Sequence, residues 1–116
     1  MLSATNLITN LTSSIVVETE IFLINLSILN YVSQTPYEGP NVVTVDQTTV
    51  VTVNGSEITG TPMTLNTDYY GVWQGSLGNN YKISEMKAVI DYYTKLGYTI
   101  NRKSDDGVSL YWLIGW

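Results

Sequence analysis

Apolar residues recur at helical spacing between residues 15 and 32 of the chain. They stand four, three, four and three residues apart, which places them on one face of a helix. The residues of this stripe are Val17, Ile21, Ile24, Ile28 and Tyr31. The segment is also rich in Ile and Val and alternates like a strand over residues 24–28, so a strand is the alternative. We predict a helix whose stripe faces the core, with a seam between subunits as the other interpretation.

Polar, uncharged residues precede this helix, and a loop with two prolines follows it. Residues 1–14 are rich in Thr, Asn and Ser and predict a loosely ordered arm that a partner would hold. Residues 33–41 contain two prolines and a glycine and predict a connecting loop. We therefore divide the chain into an N-terminal arm and helical segment, residues 1–35, and a single α+β domain, residues 36–116.

Two similar runs of Val and Thr, residues 42–45 and 50–53, open the domain. Asn54 and Gly55 follow the second run, and this pair favours a tight hairpin turn because both residues tolerate a positive φ. Two copies are too few to bury the continuous core of a solenoid or a fibre shaft. A third strand follows the turn, so we predict a β-hairpin or meander over residues 42–59.

The C-terminal part of the chain alternates between strand and helix patterns. The predicted elements are a strand over residues 69–73, a helix over residues 84–96 and strands over residues 98–103 and 108–116. Ser84 is the predicted N-cap of the helix, and Gly97 is expected to end it in a left-handed conformation. Residues 69–116 thus form a predicted β-α-β-β unit, and the predicted fold class is α+β.

The composition limits the chemistry that the chain can perform. Its 116 residues include no Cys and no His. Disulfides and thiolate chemistry are therefore excluded, and the commonest general base and transition-metal ligand is missing. These absences count against an enzyme, and we expect no catalytic residue, no cofactor and no metal. The adjacent carboxylates of Asp105 and Asp106 offer a metal loop or an acid/base pair, but Asp-Asp-Gly is also ordinary hairpin chemistry, which we favour.

Charge is scarce and unevenly distributed. Only 13% of the residues are charged, and the formal net charge is −5. All five basic residues lie between Lys82 and Lys103, an asymmetry that could orient subunits head to tail. An acidic chain without a basic stripe is unsuited to nucleic acid. Glu18 and Glu20 interrupt the most apolar stretch, so we predict no membrane span.

Ten of the thirteen aromatic residues lie in the predicted C-terminal unit. Tyr and Trp combine apolar area with a polar tip, which suits both protein interfaces and sugar stacking. A sugar platform would need exposed rings, for which Tyr70, Trp73 and Tyr111 are available, whereas Trp112 is expected in the core. We favour an interface, with Trp116 docked on the body or on a neighbouring subunit. The candidate interface residues are Val17, Ile21, Ile24, Ile28, Tyr70, Trp73, Tyr111, Trp112 and Trp116.

The C-terminal residues carry a resemblance to a known group of proteins. The pattern reads Tyr70-x-x-Trp73-x-Gly75, Met86-Lys87-x-Val89-Ile90-x-Tyr92-Tyr93-x-x-Leu96-Gly97-Tyr98-x-Ile100-x-Arg102-Lys103 and Leu110-x-Trp112-x-Ile114-x-Trp116. It resembles the C-terminal part of small virion-associated proteins of tailed bacteriophages, cyanophages among them. The resemblance covers about residues 69–116 and leaves the first 68 residues outside. It implies a structural role in a capsid or tail, with no catalytic residues to carry over.

Our hypothesis from the sequence is a virion structural protein, most specifically a capsid decoration or cement protein that stabilises a phage shell by protein–protein contacts. The alternatives are a neck or tail component, or a glycan-binding attachment module that uses exposed Tyr and Trp. The expected partners are the major capsid protein or neck and tail proteins, together with further copies of the chain in a homo-oligomer. Neither nucleic acid nor a membrane is expected as a partner, and the expected location is the virion.

Overall fold

The computed structural model of the chain describes residues 4–33, 39, 41–73, 80–105 and 109–116. The helices are α1 (Ala4–Val32), α2 (Pro62–Leu65), α3 (Tyr70–Trp73), which follows a 3-10 turn over Thr67–Tyr69, and α4 (Asn80–Lys95). The strands are β1 (Val42–Asp46), β2 (Val50–Val53), β3 (Ser56–Thr59), β4 (Thr99–Ser104) and β5 (Leu110–Gly115). The predicted α+β class is confirmed.

The N-terminal segment is one helix of 29 residues, α1. The helix predicted over residues 15–32 is therefore confirmed, and the strand alternative is wrong. The arm predicted over residues 1–14 is wrong for residues 4–14, whose backbone is helical. No Gly or Pro occurs before Pro36, so no residue in this segment breaks the helix.

Three strands form an antiparallel sheet in the order β1-β5-β4. The central strand β5 pairs with both neighbours, and Ile114 lies opposite Val43 on one side and Ile100 on the other. Alternate residues of these strands point into one apolar core together with residues of α1 and α4. The core residues of the sheet are Val43, Val45, Ile100, Leu110, Trp112 and Ile114. The two long helices therefore cover one face of the sheet.

The hairpin around Asn54 and Gly55 is confirmed. Both residues have positive φ, 52° and 81°, and β2 and β3 pair antiparallel across them. However, β1 does not join this hairpin, so the meander predicted over residues 42–59 is wrong in its first strand. The carboxylate of Asp46 ends β1 by accepting hydrogen bonds from the backbone N–H and hydroxyl of Thr48. This turn directs the chain out of the three-stranded sheet, and β1 pairs with β5 instead.

The segment predicted as a strand over residues 69–73 is helical, and this prediction is wrong. Asn66 starts the turn, since its side chain accepts from the N–H of Asp68 and its carbonyl from the N–H of Tyr69. The helical turn buries Val72 and Trp73 together, whereas a strand would place neighbouring side chains on opposite faces. The C-terminal unit is therefore α4-β4-β5, with β1 as the third strand.

Helix α4 begins at Asn80, four residues before the predicted start, so Ser84 lies inside the helix and is not its N-cap. The predicted end is confirmed. Gly97 has φ +93°, and its N–H donates to the carbonyl of Thr94, while the N–H of Tyr98 donates to the carbonyl of Tyr93. These two bonds form a Schellman motif, which requires a left-handed residue at this position.

Candidate functional site

The predicted apolar stripe of α1 faces the core of its own chain. Ile24 and Ile28 are buried, and Val17, Ile21 and Tyr31 pack against the core with part of their surface exposed. The core interpretation of this stripe is therefore confirmed. Ile24 and Ile28 were also interface candidates, but Ile24 is fully buried and Ile28 is 9% exposed, so neither can contribute appreciably to an interface.

The opposite face of α1 is also apolar, and it is exposed. Ile15, Phe22 and Leu29 lie seven residues apart and are 64%, 50% and 57% exposed. Thr19 is exposed and Leu26 is half-buried between them. An exposed helix face is normally charged, and a helix that is apolar on all sides is normally covered on all sides. We call Ile15, Thr19, Phe22, Leu26 and Leu29 the outer stripe.

Only two residues of α1 carry a charge, Glu18 and Glu20. Glu18 is exposed beside the outer stripe, and Glu20 is buried on the other side. Residues Ile15–Val32 are, by length and composition alone, apolar enough to cross a membrane. A core helix of a water-soluble domain has the same composition when it is packed against its own domain, and one face of α1 is packed in this way.

Glu20 anchors α1 to the body of the domain. Its side chain is 0% exposed and accepts three hydrogen bonds. Thr61 Oγ1 and Trp112 Nε1 donate to Oε1 over 2.5 and 2.7 Å, and the backbone N–H of Met63 donates to Oε2 over 2.9 Å. These donors belong to the start of α2 and to the central strand β5. A single carboxyl therefore joins three elements that are distant in sequence.

Burial raises the pKa of the Glu20 carboxyl above its ordinary value. The hydrogen bonds from Thr61, Met63 and Trp112 oppose this shift, and the nearby carboxylate of Glu85 adds to it. The net shift of the pKa is upward, because the free-energy cost of removing the carboxylate from water exceeds the stabilisation from these three hydrogen bonds. The group is therefore a buried acid that binds a proton more tightly than an exposed glutamate does.

Tyr93 of α4 anchors α1 at a second point. Its hydroxyl lies 2.7 Å from Asn25 Oδ1 and 3.1 Å from the carbonyl oxygen of Ile21, and it donates to these acceptors. Burial, together with neighbouring Tyr92 and Tyr98, raises the pKa of Tyr93, so the hydroxyl keeps its proton. Glu20 and Tyr93 thus hold α1 from two sides and leave the outer stripe turned away from the domain.

The aromatic candidates do not form one surface. Trp73 and Trp112 are buried, their rings lie 4.6 Å apart, and the Nε1–H of Trp73 donates to the carbonyl of Lys103. Trp73 and Trp112 are therefore core residues, and the sugar platform that included Trp73 is wrong. Tyr70 and Tyr111 are only half-buried. The expectation of a core role for Trp112 is confirmed.

Trp116 is docked within its own chain. Its ring meets the rings of Tyr31 and Tyr98 edge to face, with both centroid distances at 6.1 Å, and its backbone N–H donates to the carbonyl of Asn41. It remains 40% exposed. The residue therefore has a partner inside the molecule and still presents part of its ring to the surface.

A polar groove of about 420 Å³ lies between the turn after β1 and the start of β5. Its lining residues are Thr44, Asp46, Gln47, Thr48, Asp105, Ser109 and Tyr111. Asp105 accepts a hydrogen bond from the hydroxyl of Tyr111, which agrees with the turn role that the sequence favoured, while Asp106 lies outside the described residues. Within the described ranges no three His, Cys, Asp or Glu side chains form a group that could hold a metal ion.

Sequence reasoning missed the two features that define α1. Glu20 was interpreted, together with Glu18, as an interruption of an apolar stretch, although an acid inside such a stretch is also a signal for a buried, hydrogen-bonded group. The outer stripe was visible in the sequence as the seven-residue spacing of Ile15, Phe22 and Leu29. The helix therefore carries two apolar faces, of which the sequence analysis identified one.

Comparison with known proteins gives no relative. No protein-family model, no curated protein and no solved structure matches the chain. The resemblance of residues 69–116 to virion-associated proteins therefore stays a prediction that rests on the quoted motif alone.

Proposed function

We propose that the chain is a virion structural protein, most specifically a capsid decoration or cement protein that acts through protein–protein contacts. The observation that carries the proposal is the outer stripe of α1, an exposed apolar face on a helix that is anchored to the domain. Exposed apolar patches of this kind are typical of interaction sites. The motif in residues 69–116 suggests the virion as the place where the partner is found.

The proposed mechanism uses α1 as a preformed binding element. Because Glu20 and Tyr93 fix the helix on the domain, its outer face needs little ordering when a partner binds. A decoration protein is repeated by the symmetry of the shell, so many weak contacts of this kind add up to a stable assembly. The scarcity of charge fits a surface that is largely covered in such an assembly.

The test is the composition of purified particles of the virus that encodes the chain. Mass spectrometry of gradient-purified particles should detect the protein at high copy number. Particles grown without the gene should release their genome at a lower temperature. If the chain is produced in infected cells but is absent from the particles, the proposal fails, whereas a low copy number would favour the neck or tail alternative.

A glycan-binding attachment module is the second candidate, and the polar groove is the observation in its favour. Sugar sites combine hydrogen-bonding side chains with an aromatic ring, and this groove contains two carboxylates, several hydroxyls and the ring of Tyr111. A glycan array should then show binding by the wild type that is lost in Tyr111→Ala. Binding should be retained in Tyr70→Ala, because Tyr70 lies outside the lining of the groove. If the chain binds no glycan on the array, this candidate function is wrong.

A further inference from the structure

The outer stripe of α1 has the spacing of a helix–helix seam. Its five residues, Ile15, Thr19, Phe22, Leu26 and Leu29, stand four, three, four and three residues apart. Two helices that pack along their length need this alternation, since it averages 3.5 residues and keeps the seam facing the partner. The core face of α1 is already used inside the domain, so this second seam is available for another molecule.

We propose that the outer stripe binds the outer stripe of a second copy of this chain, with the two α1 helices antiparallel. The partner that the proposed function assigns to the outer stripe would then be another copy of the chain, so this inference names that partner and rests on the proposed function for its biological setting. Its experiments use the purified chain alone. The formation of the dimer and the role in the virion are therefore tested independently.

Side-chain volume fixes the register of the proposed pair. The outer stripe consists of two alternating sets, Thr19 and Leu26 in one and Ile15, Phe22 and Leu29 in the other. In an antiparallel pair, each residue of the first set lies beside a residue of the second set on the other helix. Placing Phe22 beside Thr19 of the second copy, and Ile15 beside Leu26 of the second copy, gives layers of similar volume. Such layers keep the distance between the helix axes constant. Shifting the pairing towards the C-terminal end would place Phe22 beside Leu26 and Ile15 beside a small serine, Ser33, and the layers would be unequal.

Charge favours the antiparallel direction over the parallel one. A parallel pair would align the helix dipoles and place the two Glu18 carboxylates at the same level. The antiparallel register separates these carboxylates by five residues, about 8 Å along the axis, and opposes the dipoles. It also brings Glu18 towards Asn25 of the second copy. The Oδ1 atom of Asn25 accepts from Tyr93, so its amide nitrogen is the group that can donate to Glu18.

The exposed area suits a weak, reversible pair. At least half of each of Ile15, Phe22 and Leu29 is exposed, and Leu26 between them is half-buried. With their neighbours they would cover about 500 Å² per copy, or about 1,000 Å² in total, at the lower limit of specific interfaces. Interfaces at this lower limit are typical of weak, transient complexes, so we expect a dissociation constant on the order of micromolar. A unit of this affinity can form in solution and be reinforced when it joins a larger assembly.

A lipid surface fits the outer stripe less well than a second copy does. The helix contains no Lys or Arg that could meet lipid headgroups, and Glu18 would have to approach the hydrocarbon. In a helix pair Glu18 lies beside the seam, where it keeps its contact with water.

Sedimentation velocity and native mass spectrometry of the purified chain, across a micromolar concentration series, test the pair. The wild type should pass from monomer to dimer, and Phe22→Glu should weaken the dimer at least about tenfold. The matched control is Tyr81→Glu on α4, which also replaces an exposed ring, 71% accessible, and should leave the dimer unchanged. Circular dichroism should show the same helix content for all three proteins, since residue 22 lies outside the core. A wild type that stays monomeric throughout would overturn the proposal, and so would flotation of the monomer with phosphatidylcholine–phosphatidylglycerol vesicles.

Cysteine cross-linking tests the direction, and the absence of native Cys makes it unambiguous. Ile15→Cys mixed with Leu26→Cys should give a mixed disulfide dimer, whereas Ile15→Cys alone should not cross-link with itself. Efficient self-linking of Ile15→Cys would require parallel helices and would overturn the antiparallel arrangement.

Discussion

Replacing Glu20 by glutamine tests whether a buried carboxyl anchors α1. The substitution keeps size and shape but turns one acceptor oxygen into an NH₂ donor. Because Trp112 Nε1–H faces one oxygen and Met63 N–H the other, the new amide must place its NH₂ against one of these donors. A protonated glutamic acid avoids the conflict. Its hydroxyl oxygen still accepts, and its proton can go to Thr61 Oγ1, which lies 3.0 Å from the hydroxyl of Thr64 and can donate there in turn.

The expected loss of stability follows from the number of buried donors that each substitution leaves without an acceptor. Glu20→Gln leaves one buried donor unsatisfied and should lower the free energy of unfolding by about 1–3 kcal/mol. Glu20→Ala removes the acceptor for both Met63 and Trp112 and leaves a cavity, and should cost about 3–5 kcal/mol. Glu18→Gln is the matched control, since Glu18 is an exposed glutamate on the same helix. Its effect should stay within about 0.5 kcal/mol.

The pH dependence of this loss has a defined sign. The folded-state pKa of Glu20 lies above the ordinary value of 4.5, so the acid binds a proton more tightly in the folded protein than in the unfolded chain. Its contribution to stability is complete below the unfolded pKa and is lost as pH rises through the folded pKa. The stability gap between wild type and Glu20→Gln should therefore be largest near pH 5 and shrink towards pH 8.

Urea unfolding, followed by tryptophan fluorescence at one fixed protein concentration from pH 5 to pH 8, measures this gap. Equal stability of wild type and Glu20→Gln at pH 5 would refute the anchoring role. A gap that widens with rising pH would refute the upward direction of the pKa shift.

Three further predictions concern stability and can be measured by the same urea titration. Gly60→Ala should lower the free energy of unfolding more than Gly97→Ala, although both glycines have positive φ, because a Cβ on Gly60 would lie 3.1 Å from the backbone of Gln47 and one on Gly97 would meet nothing within 4 Å. We expect a loss of about 1 kcal/mol at Gly97 and at least about twice that at Gly60. Equal losses at the two positions would contradict the steric argument. Tyr93→Phe removes the hydroxyl bridge to α1 and should cost about 1 kcal/mol, so an unchanged midpoint would show that this bridge does not stabilise α1. Trp73→Ala should destabilise the fold by about 3–5 kcal/mol as a core truncation, and a fully stable variant would mean that Trp73 does not belong to the core.

Local sequence determined the elements whose signals lie within a few residues. The helix over residues 15–32 follows from its apolar spacing, and Gly97 ends α4 because a left-handed position favours glycine. Asn54 and Gly55 form the hairpin turn for the same reason. In each case the interacting groups are close in sequence, so their residue types alone carry the information.

Tertiary structure decided the features whose partners are distant in sequence. Residues 42–46 resemble residues 50–53, yet β1 leaves that neighbour and pairs with β5, about 70 residues away, where its inward Val side chains are buried. Residues 69–73 have strand propensity, but a helical turn buries Val72 and Trp73 together, and burial outweighs a propensity that spans only about 1 kcal/mol.

The outer stripe of α1 also depends partly on local sequence and partly on the tertiary structure. The sequence analysis placed the stripe of Val17, Ile21 and Ile24 against the core, but the seven-residue spacing of Ile15, Phe22 and Leu29 does not show whether the domain covers that second face as well. The face that the domain covers depends on Glu20, because its carboxyl is satisfied only where Thr61, Met63 and Trp112 converge. These donors are brought together by the folded chain, and a buried carboxyl without them would be too costly. The sequence thus determined that α1 is an apolar helix with a core-facing stripe, and only the tertiary structure decided that its second apolar face remains exposed.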